Sequence, residues 1–554
     1  MRLLKVRNIN LNLEKKFIPT LIFAFALYFR FLWSQLSIWK EDESITLWLA
    51  LVNNLFDSPF GNVSSTGLPN PNLSIVLSKF LIIFDSLSTV SFVIALIQML
   101  IIYYAFYSKN YDYNLVLISF IGFSFYLTYL TSSIWYQFMI TSINALFLKT
   151  IFDYVFEKKY YLFWYFPLVS VLPASLYLGG LSNSILFSVF FFFVIILKIK
   201  SFKSNISNKK HFFVSMSLFA SLLFITWYQY FTNLDFESLK IQSESQLFPY
   251  SRIRDYLYVG FQYVKETPQF FMDIFSSTDS IYFLFTYSDK LTEKTSELID
   301  LLLISHKLLN AISVLILFGS LILLFTSFKE KINNELVYKN VFVLIYIFSF
   351  TIITPLLGGR QFLQFDIMAL SVFASTYICF IFIWVSLPFI FKELKLLNFI
   401  LKAFLYAFIF LNILTSFYLR SDYLNTKSSF LSEADESPIY KQEIVDFIAT
   451  KTNKEVSIYY DLGGGIYNWI PEFNEKNYST DYYLNSFSLG RDFDYLFKKK
   501  FNIDNSQEGN LYRVFQDTDF YISYIFEEFP NNIYENYKHY QFGNFRVTEN
   551  LGKP

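Results

Sequence analysis

The chain is short of the groups a water-soluble protein displays. Only 16% of its 554 residues are charged against 54% hydrophobic, and the mean hydropathy is +0.38. That balance excludes an ordinary soluble domain and gives an integral membrane protein. The formal net charge is zero, so nucleic acid is not an expected partner, since that would call for a basic excess or stripe. The single cysteine, Cys379, lies in an apolar run, which rules out an intramolecular disulfide and a multi-thiolate metal site. Three scattered histidines, His211, His306 and His539, make no metal-ligand spacing, and His306 is expected as an interface anchor opening a span.

What is present is apolar runs. About eleven are long enough, or nearly so, to cross the hydrocarbon core, near 17–39, 87–107, 114–132, 135–156, 161–178, 183–199, 211–231, 307–327, 338–356, 365–390 and 397–419. Lysines and arginines gather on alternate connections: Arg2 to Lys16, Lys158 and Lys159, Lys198 to Lys210, Lys329 to Lys339, and Lys392 with Lys395. Those connections are expected in the cytoplasm. The first loop, the long segment near 232–306, the turn at Gly358–Arg360 and the tail then lie outside. The first run lacks a small-residue cleavage site, so no cleavable signal peptide is expected.

Past about residue 421 the pattern changes. Lys441–Ile448 reads as an amphipathic helix, and Val456–Tyr460, Phe520–Ile525 and Phe542–Val547 as strands, which predicts a small extracytoplasmic α/β domain over 421–554. Gly463–Gly465 reads as a tight turn, because no phosphate-binding fingerprint follows it. No internal repeat is visible.

The residues with chemical potential stand at the outer ends of spans. Trp39-Lys40-Glu41-Asp42-Glu43 follows the first run, and its carboxylates either cap the next helix or work at the membrane surface. Arg30 lies inside the first span, where a charge either faces protein or snorkels to the interface. Asn70 and Pro71, in Gly67-Leu68-Pro69-Asn70-Pro71-Asn72-Leu73, close the first loop over 40–72. Arg360 is a lone cation between two spans, while Arg252 and Arg254 lie on the long outer loop and equally suit a solvated helix face. The middles of the spans read as almost pure Phe, Ile and Leu.

Arg30, Trp39 leading into Asp42-Glu43, the Gly67–Leu73 element, the turn Thr128–Trp135 and Thr354–Leu363 together resemble the bacterial members of the GT-C glycosyltransferase superfamily, which includes protein mannosyltransferases and the lipid A aminoarabinose transferase. The likeness covers roughly residues 1–420; Asn72 stands where the family's Pro-Pro-Leu element has its second proline, and Gln361-Phe362 departs from its late Arg-Tyr-Leu turn. The resemblance implies a GT-C-like transmembrane catalytic domain in a bacterial plasma membrane. It would transfer a sugar, with inversion, from a polyprenyl-phosphate or diphosphate carrier to an envelope glycan, lipid or protein acceptor. Asp42 matches the catalytic base and Glu43 an orienting carboxylate, with Arg360, Arg30, Arg252 and Arg254 as candidate contacts for the leaving phosphate and Asn70 and Pro71 as loop support. No cofactor is expected; some oligosaccharyltransferases of the superfamily hold a divalent ion, but no second acidic pair lies near Asp42 and Glu43. The alternative is a transporter or flippase of lipid-linked sugars, which would place polar residues near the midplane on broken helices.

Overall fold

The computed structural model describes residues 2–34, 50, 60–63, 69–81, 83–84, 87–132, 136–177, 180–197, 209–233, 291–326, 330, 332–358, 365–391 and 394–426, and, in the tail, 443–444, 447–448, 450–451, 458–461, 520–524, 537–542 and 545–551. The chain divides into two compact units. One joins Met1–Ser37, Ser88–Leu234 and Ser243–Asn425; the other joins Ile38–Leu87, Asp235–Gln242 and Thr426–Pro554. The boundary after Asn425 falls close to the expected end of the transmembrane domain. The first loop belongs to the same unit as the tail rather than to the helices that flank it.

The first unit is helical: α1 (Arg2–Ser34), α3 (Leu87–Phe106), α4 (Tyr111–Phe123), α5 (Phe125–Ser132), α6 (Tyr136–Val155), α7 (Phe166–Leu176), α8 (Leu181–Leu197), α9 (Lys209–Leu222), α10 (Gln229–Asn233), α11 (Glu293–Leu324), α12 (Asn334–Gly358), α13 (Phe365–Ile390) and α14 (Lys395–Thr426). Helix α2 (Leu73–Leu81) belongs to the second unit. Five helical stretches among the described residues are long and apolar enough to cross a membrane: Phe17–Ser34, Thr89–Phe106, Lys210–Thr232, Glu293–Leu324 and Lys395–Asp422. Their outward faces carry large exposed apolar side chains, among them Phe213, Leu315, Phe318 and Phe410, each more than 60% accessible. In water such faces would be liabilities; against lipid tails they are ordinary.

Helix α13 shows the opposite pattern. Tyr377 to Leu387 is buried on every side of the helix, as expected of a helix apolar all round. It packs against α6, α12, α4 and α11. Four fully buried polar groups tie this core together: Tyr346 donates to Asn144 Oδ1 at 2.7 Å, Asn183 Nδ2 donates to the same oxygen at 3.2 Å, and Asn144 Nδ2 donates to the Ser375 carbonyl at 3.2 Å. Such bonds between helices are worth about 0.6–2 kcal/mol each in lipid, so they specify which helices meet more than they drive association.

Several sequence expectations change. The span expected over 114–132 is two helices, α4 and α5, parted at Ser124. The span expected from 307 begins at Glu293 instead, because Glu293, Glu297 and Asp300 in its first turns lower the hydropathy there. His306 therefore does not open a helix at the interface: it is buried inside α11, among the rings of Tyr126, Tyr377 and Trp384 at centroid distances of 4.9–6.1 Å.

In the tail, strands β3 (Ile458–Asp461), β4 (Phe520–Tyr524), β5 (Tyr537–Phe542) and β6 (Phe545–Asn550) form one mixed sheet in the order β3-β4-β6-β5, numbered after β1 and β2 of the first loop. β3 and β4 pair in parallel, which needs a crossover; the other pairs are antiparallel. The single strand expected over Phe542–Val547 is instead the junction of a hairpin, with Phe542 opposite Phe545. Gly543-Asn544 between them is a two-residue hairpin signal that reads as part of a strand if passed over. Ile444 and Ile448 are fully buried, at the spacing of one helical face, as the amphipathic reading of Lys441–Ile448 requires. Gly463–Gly465 lies outside the described residues.

Candidate functional site

The two ends of the helical unit differ in chemistry. At one end Lys402 meets Asp112 at 2.6 Å, Lys149 and Lys159 meet Asp153 at 2.8 and 2.9 Å, and Lys339 meets Glu335 at 2.7 Å. Asp153 is buried. The hydrogen bonds that Lys159 donates to Glu157 and to Asp153 hold its ammonium above its ordinary pKa. At the other end Arg420 Nε donates to the Leu32 carbonyl at 3.3 Å. There, too, Asp422 accepts from both the amide and the hydroxyl of Thr292, each at 2.9 Å. Thr292 is the N-cap of α11, so Asp422 places a carboxylate at a helix N-terminus, where the dipole favours it. These contacts set the last turns of α1 and α14 and the first turn of α11 at one level.

The first loop closes on folded structure. β1 (Phe60–Val63) pairs antiparallel with β2 (Pro69–Pro71), Phe60 opposite Pro71 and Val63 opposite Pro69. Prolines cannot donate to a ladder, which keeps such a ribbon to two strands at an edge. Asn70, Pro71 and Asn72 are buried. The Asn72 carbonyl accepts from Val76 at 3.0 Å to begin α2, and Lys79 donates to the Ala50 carbonyl at 2.7 Å. Asn70 and Pro71 thus sit in a built hairpin-helix element. Asp42, Glu43, Arg252, Arg254 and Arg360 lie outside the described residues.

Arg30 is fully buried in α1. Its Nη1 donates to the Leu127 carbonyl at 3.1 Å and to Thr131 Oγ1 at 2.7 Å, and its Nη2 donates to the Ile121 carbonyl. Of its five N–H groups, three are therefore taken by α4 and α5, and Nε meets no acceptor among the described residues. The approach depends on Gly122, since a Cβ built there would lie 2.4 Å from Ala26 Cβ. Ala26 is one turn before Arg30, so the small pair brings α1 close enough for the guanidinium to reach the backbone of its neighbours. Gln98 adds a bond from Nε2 to the Thr131 carbonyl at 3.1 Å.

These contacts surround the interruption at Ser124, whose φ of −63° and ψ of 121° are extended. Phe125 N donates to Asn412 Oδ1 at 2.9 Å, Leu127 N donates to Ser124 Oγ at 3.3 Å, and Ser124 Oγ lies 2.7 Å from the Tyr377 hydroxyl. The expectation of apolar span middles is thereby corrected: Asn144, Tyr377 and Asn412 are buried in the middles of α6, α13 and α14, and Ser124 in the middle of the span expected over 114–132. Single polar residues scattered through apolar runs barely alter a hydropathy average, and only the folded chain shows that they converge. Asn412, Tyr377 and Gln98 were missed for this reason, although a lone Asn or Gln in a span is itself a signal that a partner awaits it.

Among the described residues no group of three or more His, Cys, Asp or Glu side chains is placed to hold a metal ion. No family model, no curated protein and no solved structure matches the chain.

Proposed function

We propose that the chain is a membrane glycosyltransferase with a GT-C-like arrangement of eleven transmembrane helices, moving a sugar from a polyprenyl-phosphate or diphosphate carrier to an acceptor on the outer face of a bacterial plasma membrane. The observation that carries the reading is the folded hairpin holding Asn70 and Pro71 at the end of the loop that begins with Asp42 and Glu43. A loop serving only to re-enter the membrane needs no such element. A parity argument supports the crossing number: the ends of α1 and α14 lie at one level, which requires an even number of crossings between them, as ten further spans supply.

In the proposed reaction the acceptor hydroxyl attacks the anomeric carbon as the bond from that carbon to the carrier phosphate oxygen breaks. The hydroxyl proton passes to the Asp42 carboxylate, Glu43 orients the acceptor, and the carrier leaves as its phosphate with inversion at the sugar. Such a base contributes roughly 100- to 10,000-fold. The leaving phosphate calls for arginine, whose fork matches phosphate oxygens. Arg360 is the first candidate, with Arg252 and Arg254 next. Arg30 ranks below them, because it is fully buried and three of its N–H groups already serve helix carbonyls and Thr131. Arg360→Lys should weaken transfer substantially and leave the amount of folded protein unchanged, whereas wild-type donor affinity and rate in Arg360→Ala would reduce Arg360 to a lipid-headgroup contact.

A flippase or transporter of lipid-linked sugars is the second reading, and the broken helix at Ser124 is the observation in its favour. In such proteins the ends of the half-helices face the substrate. Here the Ile121 carbonyl and the Phe125 and Leu127 amides are occupied by the chain's own Arg30, Asn412 and Ser124, which favours the enzyme. The purified protein in detergent, given a polyprenyl-phosphate sugar together with an envelope extract as the source of acceptor, should release polyprenyl phosphate; a flippase would release none. Lysines on the alternate connections further imply a cytoplasmic N-terminus and an external tail. A reporter active only outside the cytoplasm should therefore work when fused after about residue 430, and activity of a cytoplasmic reporter at that point would invert the orientation.

A further inference from the structure

The interruption at Ser124 contains no proline; the local sequence is Ile121-Gly122-Phe123-Ser124-Phe125-Tyr126-Leu127-Thr128. A continuous helix there would bond the Phe125 amide to the Ile121 carbonyl. The two groups of that missing bond are instead held by different helices: Ile121 by Arg30 of α1 and Phe125 by Asn412 of α14. Asn412 is itself fixed, donating from Nδ2 to the Phe408 carbonyl at 2.7 Å. Tyr377 of α13 contacts the Ser124 hydroxyl between them. An orphaned amide or carbonyl in an apolar interior costs about 1–3 kcal/mol, so without these partners the two groups would close on each other.

We infer that the break between α4 and α5 is imposed from outside by Arg30 and Asn412, acting as a clamp on the two halves of one helical hydrogen bond, and that both are positioning residues setting the direction of the outer half-helix Phe125–Ser132. The inference does not rest on the sugar chemistry. Ser124 contributes a local cap, its hydroxyl accepting from Leu127 N, and the distant side chains decide whether the helix runs on. The clamp also ties three helices to one point: the last turns of α1, which leads into the acidic loop, the start of α5, and the middle of α14.

The test is a distance. Cys379 is the chain's only cysteine, so in a Cys379→Ala background cysteines introduced at Tyr111 and Ser132 carry a unique pair of nitroxide labels in the full-length protein. A continuous α-helix between those positions spans roughly 32 Å at about 1.5 Å per residue, and the extended residue at Ser124 makes the broken one depart from that value. The double variant Arg30→Met with Asn412→Leu should bring the distance to the continuous value, because the Ile121 carbonyl and Phe125 amide can then pair. A distance unchanged by the double substitution overturns the inference, since the local sequence would then make the break by itself. Should the double variant fail to fold, Asn412→Leu alone decides: it releases the Phe125 amide from Asn412 while Arg30 still holds Ile121, so a second population at the continuous-helix distance is expected. A single unchanged population overturns the clamp. Neither outcome depends on whether the protein transfers sugar.

Discussion

Arg30→Ala should destabilise the protein severely, by at least about 3 kcal/mol in a thermal or chemical unfolding measurement in detergent. Two terms add. Truncating one of the largest fully buried side chains leaves a cavity, and large-to-alanine changes in cores cost about 2–5 kcal/mol. The Ile121 carbonyl loses its charged donor, at about 1–3 kcal/mol for a group left unsatisfied, whereas the Leu127 carbonyl and the Thr131 hydroxyl still bond to each other at 2.7 Å. Opposing them is the relief of a guanidinium taken out of water. That relief does not win here, because Asn412 holds the Phe125 amide and the Ile121 carbonyl has no local amide to turn to. The same reasoning predicts non-additivity: the Arg30 substitution should be milder in an Asn412→Leu background, where the helical bond can close, with a coupling of roughly 0.5–3 kcal/mol. Stability within about 0.5 kcal/mol of wild type for Arg30→Ala would show that these bonds do not hold the bundle together.

Much of the helical architecture is legible in the sequence, because burial in lipid requires long apolar runs and the hydropathy average finds them. The average fails where a helix starts polar, as at Glu293–Asp300, and where a helix is broken by contacts from elsewhere, as at Ser124. Ser124 announces part of that second break, because its hydroxyl accepts from Leu127 N as a helix N-cap does; the rest is written in Arg30 and Asn412, which lie 94 positions before Ser124 and 288 after it in the sequence. Arg30 was legible as a charge needing a partner, and the structure supplies carbonyls and a hydroxyl in that role. The strand in which Asn70 and Pro71 are buried was not legible, because a Pro-rich passage carries no strand alternation. In the tail, the parallel pairing of β3 with β4 and the extra strand Tyr537–Phe542 required non-local information, since alternation predicts strands but not their order.

The central claim stands on Asp42, and the measurement that tests it most directly is the initial rate of sugar transfer from a polyprenyl-phosphate donor by purified Asp42→Asn protein beside the wild type. Asparagine is nearly isosteric and ranks about equal to aspartate as a helix cap, so expression, membrane insertion and thermal stability should be unchanged. It cannot accept the acceptor's proton. A general base at Asp42 predicts a loss on the order of 100-fold or more, with a milder loss for Glu43→Gln. Full activity in Asp42→Asn with loss in Glu43→Gln would move the base to the neighbouring carboxylate; full activity in both variants would contradict the proposed glycosyltransferase mechanism.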